Sequence, residues 1–114
     1  MKFEPKNDRY RRARGGLTRL YNLYCSACRH HVLLYQKDGP PGHLVRLYAN
    51  RILAPESLTE VHSVDAIRCE YCQTLIGVPF VYEKEQRPAF LLEQGSVIKK
   101  RSQGTYPPRV PIVN

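Results

Sequence analysis

Cys25-Ser26-Ala27-Cys28 and Cys69-Glu70-Tyr71-Cys72 hold all four cysteines of the chain as two C-x-x-C pairs, with 40 residues between Cys28 and Cys69. Pairs at this spacing can sit at the tips of two β-hairpins that meet face to face and offer four thiolates at the corners of a tetrahedron. Zn(II) has no d-electron preference, takes thiolate sulfur at ~2.3 Å and is four-coordinate in structural sites of this kind. Iron also accepts four thiolates, so ligand softness alone does not choose between them. Zinc is favoured over iron. Four filled positions leave none for an activated water, which argues for a structural metal and against a hydrolytic one.

Other uses of the cysteines stay open beside the metal. A disulfide framework belongs to secreted chains, whereas residues 1–16 are charged and contain no apolar stretch like that of a signal peptide. A thioredoxin-like redox pair usually comes singly, beside a βαβ pattern. His30 and His31 follow the first pair and could replace a cysteine as ligand, a substitution that four well-spaced cysteines make unnecessary. His62, Ser63 and Asp65 have the residue types of a nucleophilic triad, but sequence neighbours seldom supply its geometry. No phosphate loop, H-E-x-x-H or dinucleotide fingerprint occurs. The expectation is a protein that is not an enzyme.

At 114 residues the chain makes one domain with a marginal core. A bound metal would supply part of the folding free energy, and the apoprotein is expected to be partly or wholly unfolded. No apolar run approaches the ~18 residues of a membrane span. Reduced cysteines place the chain in the cytoplasm, the nucleus or another reducing compartment.

The net charge of +8 is unevenly spread: +5 over residues 1–19, −1 over 20–98 and +4 over 99–114. Basic ends on a neutral body fit a polyanion, most often nucleic acid, where each phosphate contact releases counterions. The plainer account is solvated, disordered tails. The candidate phosphate contacts are Arg9, Arg11, Arg12, Arg14, Lys99, Lys100 and Arg101, with Tyr10 interleaved among the arginines as a stacking ring. Such interleaving suits RNA.

The elements that position these residues read as short strands. Residues 1–16 form a basic, flexible arm, 17–101 the zinc-binding β domain, and 102–114 a Pro-rich extended tail. Leu17 to Tyr24 fits both helical and strand spacing, and strand entry to the first knuckle is preferred. Val32 to Gln36 forms a strand, and 37–42 a turn. His43 to Leu53 alternates as one strand, with Val45, Leu47, Ala49 and Leu53 on one face and Arg46, Tyr48 and Asn50 on the other. Leu58 to Val61 and Val64 to Arg68 are strand candidates. Leu75 to Tyr82 is a strand that Pro79 marks as an edge or a bulge. Residues 89–100, interrupted by Gly95, form one bent strand or two. The total is six or seven strands and at most one short helix, an antiparallel, mostly-β zinc domain. Six tyrosines (21, 24, 35, 48, 71 and 82) lie in or beside these strands, where core packing is preferred to a base-stacking platform shared with Arg46, Arg51 and Arg68. In the tail, Tyr106, Val110, Ile112 and Val113 need cover, from the domain itself or from a partner, unless the terminus is disordered.

In order along the chain, Cys25-Ser26-Ala27-Cys28-Arg29-His30-His31-Val32, the stretch Gly42 to Leu53, the stretch His62 to Gly77 and Phe90-Leu91-Leu92-Glu93 resemble the Yippee and cereblon-type zinc domains over residues 24–100. The resemblance implies a β-tent: two antiparallel sheets pinned at the apex by one four-cysteine zinc. Small prokaryotic zinc-ribbon proteins share the layout. This chain has no tryptophan, so the ligand cage of cereblon-type domains has no counterpart here. It also lacks the further catalytic cysteine of the B-type methionine sulfoxide reductases, whose zinc site is similar. The expected function is a structural zinc module that binds nucleic acid, RNA in preference, through its basic ends. The alternative is a protein-interaction adaptor working through the tent surface or the tail.

Overall fold

The computed structural model describes residues 1–59 and 65–114. Among them are helix α1 (Arg9–Ala13) and eight strands: β1 (Thr18–Cys25), β2 (His31–Asp38), β3 (Arg46–Tyr48), β4 (Ile52–Ala54), β5 (Ile67–Arg68), β6 (Leu75–Tyr82), β7 (Arg87–Leu92) and β8 (Val97–Ser102). They form two four-stranded sheets, β4-β2-β1-β8 and β3-β7-β6-β5, in which every pairing is antiparallel. The result is a small, mostly-β domain compatible with a zinc-binding tent or ribbon.

The main core lies between the sheets, where Leu23, Leu33, Leu47, Ile67, Ile76 and Phe90 are buried together. A second, smaller cluster of Leu20, Leu34, Leu53 and Ala54 is covered by Phe3 and Tyr106, which meet edge to face at 6.4 Å. Both ends of the chain therefore have a packing role. Four tyrosines, 21, 24, 35 and 48, are buried, in line with the core account, while Tyr71 is exposed.

Several strand expectations need correction. Residues 43–53 are not one strand: β3 and β4 belong to different sheets, and the 3₁₀ turn Ala49–Arg51 carries the chain across. Alternation fails because Leu47, Tyr48 and Ala49 are buried in succession, while Val45, expected inside, is exposed. Arg51 is no surface platform. It is 1 % exposed and ion-pairs with Asp8 and Asp38. Leu58 lies in the 3₁₀ turn Glu56–Thr59, and of the strand read at 64–68 the described residues are 65–68, of which Ile67–Arg68 form a strand. Residues 60, 61 and 64 of those two candidates lie outside the described residues, as do His62 and Ser63.

Residues 89–100 resolve into two strands in different sheets, separated at Gly95 (φ +80°). At Pro79 the expected edge character has a clear cause. Among the described residues β5 pairs only with Leu75 and Gly77, and beyond that point β6 is bonded on one side, by β7. The missing proline N–H falls where no strand among the described residues pairs on that side.

Candidate metal centre and basic surface

Each C-x-x-C closes a hairpin, one between β1 and β2 and the other between β5 and β6. The two turns share a backbone pattern. The Cys25 N–H donates to the His30 carbonyl (2.9 Å) and the Arg29 N–H to the Cys25 carbonyl (2.8 Å); in the second turn the Cys69 N–H donates to Thr74 (2.9 Å) and the Gln73 N–H to Cys69 (2.8 Å). Arg29 and Gln73, each the residue after its second cysteine, have φ of 72° and 65°. The left-handed region costs a non-glycine residue about 1–2 kcal/mol, and the paired hydrogen bonds hold both residues there. Neither position announces itself in the sequence, because neither is glycine or asparagine.

The turns bring all four thiols together. Cys25, Cys28, Cys69 and Cys72 place their Sγ atoms within 4.8 Å of one another, with Cys25 to Cys72 at 3.6 Å and Cys28 to Cys69 at 3.3 Å. All are free thiols. A tetrahedron with metal–sulfur distances of ~2.3 Å has edges of roughly 3.8 Å, so the donor set fits a four-thiolate metal ion. The protein's part is to hold the four sulfurs and to lower the cost of their charge. Cys72 accepts from the Thr74 hydroxyl (3.0 Å) and then from the Thr74 backbone N–H, which brings its thiol down to about 6. Cys28 accepts from the His30 N–H, its largest single influence and a lowering one. Lost hydration and the thiols of Cys69, Cys72 and Cys25 together outweigh that bond and drive it up to about 12. Such crowding of thiols is relieved when a cation takes them all as thiolates.

Surrounding contacts tie the knuckles to each other and to the sheets. The His30 ring stacks on Tyr71 at 3.8 Å and 14°, one ring from each turn. The Ser26 Oγ donates to the Gly95 carbonyl (2.6 Å) and its N–H to Ser96 (2.9 Å), fixing the first knuckle to the β7–β8 connection. The tail docks on the same turn, with the His31 N–H donating to Pro111 and the Val113 N–H to Arg29, both at 2.9 Å. His31 itself is held neutral by burial, its pKa lowered to about 4, and its Nε2 hydrogen bonds Asn22 Oδ1 at 2.8 Å.

The basic residues are distributed as follows. Residues 1–16, read from sequence as an arm, lie against the body. The Phe3 N–H donates to Gly104, the Lys6 backbone exchanges two hydrogen bonds with the buried Gln36 side chain, and Asp8 caps α1 while pairing with Arg51. That pairing and the cap hold the Asp8 carboxyl down to about 2. Arg87 is clasped between the rings of Tyr10 and Tyr48, at 3.9 and 3.7 Å. Tyr10 is thus engaged inside the molecule, as are Arg11 (Nε to the Gly16 carbonyl) and Arg14, which reaches Tyr48 and Glu85. Lys99 bonds the Gly42 carbonyl and lies 4.7 Å from the Tyr21 ring centre. Arg9, Arg12, Lys100 and Arg101 are exposed. Lys37, which was not singled out from sequence, joins the two basic ends: loss of hydration first, then the charges of Lys99, Arg14 and Arg19, lower its pKa.

No protein-family model, curated protein or solved structure matches this chain. No helix among the described residues is long and apolar enough to cross a membrane.

Proposed function

We propose that the chain is a non-enzymatic module, built on a structural zinc ion, that binds nucleic acid through its basic ends, RNA in preference to DNA. The observation behind nucleic-acid binding is the charge of the two ends, +5 over residues 1–19 and +4 over 99–114 against −1 for the body, with Arg9, Arg12, Lys100 and Arg101 exposed. Support for zinc comes from four clustered thiols at tetrahedral spacing, and a shell filled by sulfur leaves no open position for catalysis. Two antiparallel sheets joined at a four-cysteine apex also support the likeness to Yippee and cereblon-type domains. A reducing compartment suits the free thiols.

The test is fluorescence anisotropy of zinc-loaded protein with random single-stranded RNA and duplex DNA across a salt series. Affinity should fall steeply with salt, RNA should bind more tightly, and R9A/R12A should weaken binding evenly across sequences. Lack of micromolar binding at low salt overturns the nucleic-acid reading. The second reading, an adaptor for a partner protein, draws on the exposed pair Val78 and Leu91, register partners on β6 and β7. It predicts a complex that survives nuclease treatment and is lost in V78E.

A further inference from the structure

A groove of about 420 Å³ runs between β8 and the tail, and its walls include Lys100, Arg101, Arg109, Asn22, Ser102 and Thr105. Three of its lining residues are cations and none is acidic. No carboxylate among the described residues forms an ion pair with any of the three. β8 is the edge of its sheet, which explains how Lys100 and Arg101, consecutive on a strand, both line one groove. Charge on an edge strand also discourages sheet-to-sheet association. That role would account for Lys100 and Arg101, but Arg109 lies outside any strand, in the tail, and converges on the same space.

We propose that this groove is the seat of a single-stranded nucleic acid, held by its phosphates; the assignment rests on the nucleic-acid reading above and locates it. The volume lies within the ~300–1,000 Å³ of small-ligand sites, enough for phosphate and sugar units and too little for a double helix. The lining ring of Tyr24 is 3 % exposed and its hydroxyl donates to the Val110 carbonyl at 2.7 Å, so it offers bases no stacking face. Recognition therefore falls on the backbone. Phosphate contacts position a strand without reading its sequence, and polar side chains such as Ser102 and Thr105 are suited to sugar hydroxyls.

The experiment uses full-length zinc-loaded protein and fluorescein-labelled 12-mers of oligouridylate and oligothymidylate, with a 12-base-pair RNA duplex and polyglutamate as competitors. Wild-type protein, K100A/R101A/R109A, the milder R109A and the α1 variant R9A/R12A are compared, each checked for an unchanged circular dichroism spectrum. For single strands each lost phosphate contact flattens the log–log salt dependence by ~0.7, so the triple variant should lose about 2 from the slope and about tenfold in affinity at low salt. R109A should lose about a third of that slope, R9A/R12A should lose less than the triple variant, and neither competitor should match oligouridylate. Unchanged binding in the groove variants with loss in R9A/R12A overturns the groove and leaves nucleic-acid binding standing. Equal competition by the duplex or by polyglutamate also overturns it. Failure of the wild-type protein to bind any oligonucleotide overturns both.

Discussion

Arg51 shows how one charged side chain can fix a chain's path. Its guanidinium is buried and bonds Asp38, itself 4 % exposed, and Asp8 in the N-terminal segment. Removing one partner of a buried ion pair typically costs 3–5 kcal/mol, because the other charge stays in the interior. R51M should therefore destabilise the protein by about 3 kcal/mol or more, read as the shift in a urea midpoint. A change under 1 kcal/mol would mean that water solvates Asp38 in the variant. His31 gives a pH dependence of known sign. Burial lowers its folded pKa to about 4 from an ordinary 6.5, so the unfolded chain takes up the proton first as pH falls. Stability should decline from about pH 6.5 toward 4. H31Q has no such proton to take up, and its urea midpoint should change less between pH 7 and 5 than that of the wild type. Equal slopes in the two proteins would place the acid sensitivity elsewhere.

At the level of elements, the close approach of the N-terminal segment to the tail depends on Gly104. Its φ is +98°, and a Cβ there would stand 2.2 Å from the Phe3 carbonyl oxygen. G104A should break the Phe3 to Gly104 hydrogen bond and uncover the Leu20, Leu34 and Leu53 cluster. Limited proteolysis should then cut within residues 1–8 in the variant and spare the wild type; equal resistance would show that contacts such as Lys6 with Gln36 and Asp8 with Arg51 hold the segment without Gly104. The cysteine pairs, both knuckle hairpins and the edge character at Pro79 were legible because each follows from residue type and spacing. Residues 43–53 misled for a physical reason: the sequence alternates, but the burial does not, because the chain changes sheets at a turn, Ala49–Arg51, where Arg51 finds its carboxylates, a long-range fact. The basic residues were legible as charge, but charge alone does not distinguish exposed Arg12 from Arg14, which reaches Glu85. Phe3, one apolar residue in a polar stretch, was the available sign that the N-terminal segment packs.

For the whole molecule, the four-thiol cluster joins hairpins from opposite sheets, so its loss should loosen both. Removal of metal from the zinc-loaded protein by a strong chelator should abolish the cooperative thermal transition seen by circular dichroism, and zinc should restore it. Cobalt(II) in place of zinc should give the absorption of a tetrahedral four-thiolate site; five- or six-coordinate spectra would reopen the question of a catalytic metal. Because Arg29 and His31 anchor the tail to the first knuckle, chelation should also weaken oligonucleotide binding in the groove beside that tail. Binding that survives metal removal would separate the two ends of the molecule energetically.

The order of the strands has a consequence for synthesis on the ribosome. β8, which completes one sheet, and β7, which joins β3 to β6 in the other, both follow Cys72 in the chain. β6 follows it as well, so the last of the four thiols emerges while one sheet lacks one strand and the other lacks two. A metal ion captured at that moment would tie the finished β1–β2 hairpin to the turn that begins the second, and β6, β7 and β8 would then be added to a frame whose apex is already set.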